Sequence, residues 1–229
     1  MELKILSWNI WVDGHFDKIK EFLSATNADI IGLQEVLEND PERDVISFLT
    51  DQGYQHVFAM TEHAWGGKNY KIGPALFTKL PITDSGVFFI NDEDKRAVAW
   101  MDIQVNGEPI SFFSVHLVHA HQKKSEKKEF EVAHIIEKLP SNRAIVLGDF
   151  NATPESNVIQ TMRQTLRDTD TNDLPTWSVY KEGCGVCQLD EVNTKLDYIF
   201  TSNDLKAHSF TVHNSDASDH LPISVIVNI

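Results

Sequence analysis

The residues of this 229-residue chain that could do chemistry fall where strand-like segments stop or start. Asn9 closes Ser7-Trp8-Asn9, Glu35 stands in Gly32-Leu33-Gln34-Glu35-Val36, His116 ends Ser114-Val115-His116, and Asp149 and Asn151 follow Ile145-Val146-Leu147-Gly148. Asp149 and Asn151 are two apart, so in extended chain both point to one side. Asp197 and the pair Asp219-His220 instead precede strand-like runs. A strand running the opposite way delivers its beginning to the same rim, and in open α/β sheets the carboxyl rim is where ligands bind. Glu35, Asp149, Asp197 and Asp219 brought together would repel unless a cation opposed them. Oxygen ligands of this kind suit Mg²⁺ or Mn²⁺, which keep waters and take substrate phosphate as a ligand. An imidazole tuned by a carboxylate, as His220 would be by Asp197, can exchange protons near neutral pH.

The elements that must position these residues are read from periodicity. Leu3 to Asn9 alternates as a strand, Phe16, Ile19, Phe22 and Leu23 fall on one helix face, and Asp29 to Val36 is a second strand. A helix with Val45, Ile46, Phe48 and Leu49 on its buried stripe ends near Gly53. Strands are then predicted at Tyr54 to Met60, Ala75 to Leu80, Gly86 to Ile90, Ala97 to Val105 and Pro109 to Val118, with Thr61 to Gly73 left as a loop. Val105-Asn106-Gly107-Glu108 is a hairpin signal, because Asn-Gly accepts the positive φ values of a tight turn. A helix over Lys123 to Leu139, a buried strand Ala144 to Gly148, a helix from Ser156 to Leu166 and three closing strands to Asn228 complete the pattern. The predicted class is α/β (α+β): two mixed, mostly antiparallel sheets face to face with helices outside. No linker or repeat interrupts it, so residues 1–229 are expected to form one domain.

Composition narrows the function classes. With 41% hydrophobic and 24% charged residues the chain is neither disordered nor fibrous. No apolar run approaches the roughly 20 residues of a membrane span, and the start Met1-Glu2-Leu3-Lys4 has no secretory pattern, so a cytoplasmic monomer is expected. The formal net charge of −14 disfavours, without forbidding, nucleic acid as a partner.

Six segments occur in order: Ser7-Trp8-Asn9, Leu33-Gln34-Glu35-Val36, Ser114-Val115-His116-Leu117, Gly148-Asp149-Phe150-Asn151, Leu196-Asp197-Tyr198-Ile199 and Ser218-Asp219-His220-Leu221-Pro222. Each alone is weak; together they resemble the endonuclease/exonuclease/phosphatase superfamily, the deoxyribonuclease-I-like fold. The resemblance implies a four-layer sandwich and metal-dependent phosphoester hydrolysis. It implies that Glu35 holds the metal with Asn9 beside it and Asp219 associated, that Asp149 and Asn151 orient the attacking water and contact phosphate, that Asp197 fixes the tautomer of His220, and that His116 stabilises the transition state. Whether Asp149 or His220 activates water stays open. The chain departs from the pattern at Gly73-Pro74-Ala75, where many relatives carry Gly-Asn-Ala, which puts one substrate contact in doubt.

Other features have plainer readings. His119 and His121 lack the helical spacing of the zincin motif and are taken as loop residues at the cleft edge. Cys184-Gly185-Val186-Cys187 has no second cysteine pair to complete four ligands and is taken as a reduced loop pair. The run Lys123-Lys124-Ser125-Glu126-Lys127-Lys128 is read as a solvated helix face, and Trp8, Trp65, Trp100 and Trp177 as packing. Trp11, near Asn9, is expected to line the cleft. The leading expectation is hydrolysis of a small phosphomonoester, phosphodiester or lipid headgroup. A Mg²⁺-dependent nuclease or repair phosphodiesterase is the alternative, and a non-catalytic binding protein on the same scaffold the third.

Overall fold

A computed structural model describes residues 1–229 apart from Asn39, Gly66 and Asp190, and of Trp65 the backbone alone. In chain order the elements are β1 (Glu2–Asn9), α1 (Phe16–Thr26), β2 (Ile30–Leu37), α2 (Val45–Asp51), β3 (Gln55–Phe58), β4 (Thr61–Trp65), β5 (Lys68–Thr78), β6 (Ile82–Asn91), β7 (Arg96–Val105), β8 (Glu108–His116), α3 (Glu126–Lys138), β9 (Ala144–Asp149), α4 (Asn157–Thr165), β10 (Arg167–Asp168), β11 (Asp197–Thr201), β12 (Lys206–Val212) and β13 (Ile223–Asn228). One sheet runs β12-β13-β1-β2-β5-β3, with β4 also paired to β5; the other runs β10-β11-β9-β8-β7-β6. Among the described strands only the pairs β1 with β2 and β8 with β9 are parallel.

Strands buried on both faces read as continuous apolar runs, as β9 does with every residue buried. Between the sheets, Leu3, Ile5, Ile30 and Leu76 of the first pack with Met101, Phe112, Ile145 and Ile199 of the second. On the outer face of the first sheet Ile19 and Leu23 of α1 and Val45 and Leu49 of α2 cluster with Leu6, Trp8, Leu33 and Phe77. On the other side Val132 and Ile135 of α3 and Val158, Ile159 and Met162 of α4 pack with Val115, Val146 and Phe200. The result is the expected four-layer sandwich. Among the described residues no helix is long and apolar enough to cross a membrane.

Local chemistry sets the element ends. The β7–β8 turn has φ 57 at Asn106 and 86 at Gly107, the positive angles a tight hairpin needs. Ser156 caps α4 by accepting from the Ile159 N–H, leaving Asp149 free of capping duty. The segment expected to be a loop, Thr61 to Gly73, is instead an antiparallel hairpin of β4 with the first half of β5. Its residues are largely polar and exposed, so backbone pairing carries it and no apolar alternation announces it. β6 begins at Ile82, earlier than Gly86, and α3 begins at Glu126, later than Lys123.

Register brings the chemistry to one end. Asn9 lies opposite Gln34 in the β1–β2 ladder, His116 opposite Asp149 in β8–β9, and Asp197 opposite Asp149 in the antiparallel β9–β11 ladder. Asp219 and His220 enter just before β13, whose Ile223 pairs with Ser7.

Candidate active site

Glu35 reaches the rim through a break in pairing. Leu33 pairs with Ala75 and Val36 with Gly73, so Gln34 and Glu35 together face Pro74, a β-bulge with Glu35 at φ 59. A bulge re-aims a side chain, and here it sends the Glu35 carboxylate into the cleft. It also explains Pro74. The missing N–H falls where the ladder is already interrupted, while its carbonyl accepts from Ala59 N at 2.9 Å.

The amide of Asn9 bridges the two sheets. Its Nδ2 donates to Glu35 Oε1 and to Asp149 Oδ2, each at 3.1 Å, while its Oδ1 accepts from Trp11 N at 3.0 Å. Glu35 Oε2 accepts from Val12 N at 2.8 Å. Asp149 Oδ1 accepts from Asn151 N at 2.7 Å, and Asn151 Nδ2 donates to Leu117 O at 3.0 Å. His220 Nδ1 lies 2.8 Å from Asp197 Oδ2, which also accepts from Thr176 Oγ1 at 2.6 Å. This leaves Nε2 facing inward, 3.7 Å from Asp149 Oδ2, with His116 Nε2 at 3.5 Å from the same oxygen. Ser218 Oγ donates to Asn9 O and accepts from His220 N, tying the last loop to β1.

Burial and charge set the protonation states. Asp149 is pushed up to about 7, first by burial and then by the Asp197 charge, against the pull of His220 and the bonds from Asn151 and Asn9. Asp219 is pushed up to about 6, chiefly by burial, with Glu35 and Asp197 adding repulsion and His220 and the Trp177 N–H opposing. Burial alone would depress His220, but Asp197, Asp219 and Asp149 together hold it well above the usual histidine range. His116 goes the other way, lowered well below that range by burial first and then by Arg96 and His220. Two buried imidazoles thus differ in charge at neutral pH, a separation typical of acid and base partners.

A cavity of about 720 Å³ receives these groups, with Glu35, His116, Asp149, Asn151, Asp219 and His220 on its wall. A model of the Endonuclease/Exonuclease/phosphatase family matches residues 6–220. The chain belongs to that family. Solved structures agree on the fold: an endonuclease/exonuclease/phosphatase of Bacteroides vulgatus is 19% identical with a TM-score of 0.81, covering 100% of this chain and 99% of its own. A family protein of Leptotrichia buccalis is 22% identical with a TM-score of 0.79 over 99% of this chain and 100% of its own. ANGEL2, a 2',3'-cyclic phosphatase solved with adenosine-2',3'-vanadate, is 13% identical with a TM-score of 0.77 over 99% and 95%. No curated protein is significantly similar in sequence. Endonucleases, exonucleases and phosphatases all hydrolyse phosphoesters, so the reaction class of the family is phosphoester hydrolysis.

Within this family frame, the donors at the rim fit a hard divalent cation. They are carboxylate oxygens, and Asp149 and Asp219, raised first by burial and then by neighbouring acids, are groups whose ionised forms a bound cation would stabilise. Asp149, Asp197 and His220 also place ligand atoms within 4.8 Å of one another.

Sequence reasoning missed three contributors. Trp177, read as packing, donates Nε1 to Asp219 Oδ2 at 3.1 Å and lines the cavity. Lys128, read as part of a solvated helix face, is buried and donates Nζ to Asn151 O at 2.6 Å. Arg96 opens β7 on the cavity wall, and its Nε is buried with no partner among the described residues. His119 and His121 sit at the cleft edge, and Cys184 and Cys187 stand beside them. Trp11 lines the cavity and stacks on Tyr180 with ring centroids 5.7 Å apart. Trp8 is fully buried as expected, and the Trp65 side chain lies outside the described ones.

Proposed function

We propose that the chain is a divalent-metal-dependent phosphoesterase that cleaves a small phosphomonoester, phosphodiester or lipid headgroup by in-line attack of water. The observation that carries this is the convergence on Asp149 Oδ2: Asn9 from β1, His116 from β8 of the other sheet and His220 from the segment just before β13, all within 3.7 Å of a carboxyl pushed up to about 7. Glu35 and Asp219 would hold Mg²⁺ or Mn²⁺, with Asn9 fixing the Glu35 carboxylate. The metal supplies Lewis-acid stabilisation of charge on the phosphoryl oxygens.

The chain's own groups do the rest. Asp149 sits with one oxygen fixed by Asn151 N–H and the other facing the cavity, and accepts the proton of the attacking water. His220, held protonated by Asp197, hydrogen-bonds the phosphoryl oxygen through Nε2 and steadies the growing charge. Neutral His116 and the Asn151 side chain border the same space and complete the phosphate contacts. Trp11 forms one side of the substrate pocket. Arg96, with an unpaired Nε, adds a fixed positive charge for an anionic substrate. The cavity volume suits a compact ligand, and the acidity of the chain supports a small molecule over DNA.

A panel of bis-p-nitrophenyl phosphate, p-nitrophenyl phosphate, inositol phosphates, sphingomyelin, plasmid and abasic-site duplex, assayed with Mg²⁺ or Mn²⁺, tests this. Turnover of a small ester that falls in E35Q and H220A is expected. Preference for DNA would move the enzyme to the nuclease class, and no metal-dependent turnover of any substrate would leave a binding protein on a hydrolase scaffold.

A further inference from the structure

At one edge of the cleft, four softer ligand atoms meet: Nε2 of His119, Nδ1 of His121 and the Sγ atoms of Cys184 and Cys187, all within 4.8 Å of one another. They come from two loops, one following β8 and one preceding β11. His119 Nε2 is 3.0 Å from His121 Nδ1. Cys184 Sγ lies 3.4 Å from His121 Nδ1 and 3.7 Å from His119 Nε2, and Cys187 Sγ lies 3.8 Å from His121 Nδ1. A tetrahedral zinc with Zn–S of about 2.3 Å and Zn–N of about 2.0–2.1 Å has edges of about 3.3 Å between nitrogens, about 3.6 Å between nitrogen and sulfur and about 3.8 Å between sulfurs. The nitrogen–nitrogen spacing and the three nitrogen–sulfur spacings differ from these edges by a few tenths of an ångström, the former being the shortest. We propose that His119, His121, Cys184 and Cys187 bind a zinc ion in a closed site, separate from the hard divalent cation of the catalytic group.

The surroundings prepare these atoms for a cation. The Asn151 amide is oriented by its Nδ2 bond to Leu117 O, so its Oδ1, 2.8 Å from His119 Nδ1, accepts a hydrogen bond from the N–H at that nitrogen. This tautomer turns the Nε2 lone pair of His119 to the cluster, the usual arrangement behind a metal-bound histidine. Cys187 N–H donates to Cys184 Sγ at 3.1 Å, a bond that favours the thiolate. Gln122 places its side-chain oxygen 3.2 Å from Cys187 Sγ and leaves Nε2 buried without a partner among the described residues. The two ends of an amide have the same shape, and turned over this one donates to a Cys187 thiolate.

Two thiolates and two imidazoles select zinc over Mg²⁺, and four protein ligands leave no open position for a reacting water. Binding releases two thiol protons to solvent and moves no electrons. Such an ion would clamp the loop that carries Gly183 against the catalytic group. A Cβ at Gly183 would stand 2.0 Å from Asp219 Oδ2, so this loop passes the carboxylate with no room to spare.

The test is metal content by mass spectrometry of the full chain, untagged, reduced and dialysed against Mg²⁺ buffer, followed by replacement with Co²⁺. One zinc ion per chain is expected, lost in C187S and in H121A and kept in E35Q, which removes a catalytic-site ligand only. The Co²⁺ form should show a thiolate-to-metal charge-transfer band and tetrahedral d–d bands, a readout that needs no variant and no substrate. Reduced protein that takes up no zinc, zinc retained in both C187S and H121A, or Co²⁺ bound without a thiolate band would each overturn the assignment.

Discussion

Replacing Asp197 by Asn isolates the charge behind His220. Asp197 Oδ2 accepts from His220 Nδ1 at 2.8 Å and from Thr176 Oγ1 at 2.6 Å, in a side chain with no exposure. Asparagine keeps the shape and one acceptor oxygen, so the imidazole stays in place while the negative charge goes. A hydrogen bond to a charged group contributes about 1.5–3 kcal/mol and a neutral one about 0.5–1.5, so between their central values about 1 kcal/mol is lost, which sets the lower end. Two unit charges about 4 Å apart at an effective dielectric of about 20 interact by about 4 kcal/mol, which sets the upper end. At 1.36 kcal/mol per unit, His220 should therefore lose its proton about 1–3 pH units lower. The assay is kcat/KM against pH for hydrolysis of bis-p-nitrophenyl phosphate with Mg²⁺, and the alkaline limb should move down by that amount. Stability gives an independent sign. A raised histidine stabilises the fold fully below its unfolded value near 6.5, and that contribution fades as pH rises through the folded value. The Tm deficit of D197N should accordingly be largest at acid pH and shrink toward alkaline pH. An alkaline limb left in its original place, with activity lowered equally at every pH, would refute the account of His220 as a proton-bearing group tuned by Asp197.

Stability without divalent cation should fall between about pH 4 and 7, because Asp219, raised from 3.8 to about 6, and Asp149, raised to about 7, are stabilised only while protonated. The Asp219 share is about 3 kcal/mol, and the Tm gained from saturating Mg²⁺ should be greater at pH 8 than at pH 5, read by thermal denaturation. K128M removes the buried cation on Asn151 O and should cost about 1.5–3 kcal/mol by urea denaturation, whereas K127M on the exposed face should cost less than about 1 kcal/mol. W177F keeps an aromatic side chain but removes the indole N–H on Asp219 Oδ2, so Mg²⁺ should bind it more weakly near pH 6 and almost as tightly at pH 8, measured by calorimetry.

How legible each part was follows from how far its cause extends along the chain. Strands such as β9 announce themselves because burial on both faces demands consecutive apolar residues, and the acids at their ends stand out against that background. The β4–β5 hairpin is held by backbone bonds among exposed polar residues, so it left no pattern to read. Glu35 was legible as a residue but not as a geometry, since the bulge that aims it is fixed by Gly73 and Pro74 on another strand. Lys128 looked solvated because its five-residue surroundings are charged, although the helix turns that position inward under the Asn151 loop.

The cluster of His119, His121, Cys184 and Cys187 is the sharpest case. Elimination by spacing assumed that ligands come in local pairs of one kind, so a Cys-x-x-Cys without a second cysteine pair was set aside. A His-x-His at the end of one strand is no signal by itself either. The fold supplies what the spacing lacks: β8 and β9 run parallel with His116 opposite Asp149, and β11 returns antiparallel with Asp197 opposite the same residue. The loop after β8 and the loop before β11 therefore leave the sheet at the same rim, on either side of one strand end. The topology that gathers His116, Asp149 and Asp197 at one rim thus also brings two imidazoles to two thiols about 65 residues away, as the His121 to Cys184 contact shows.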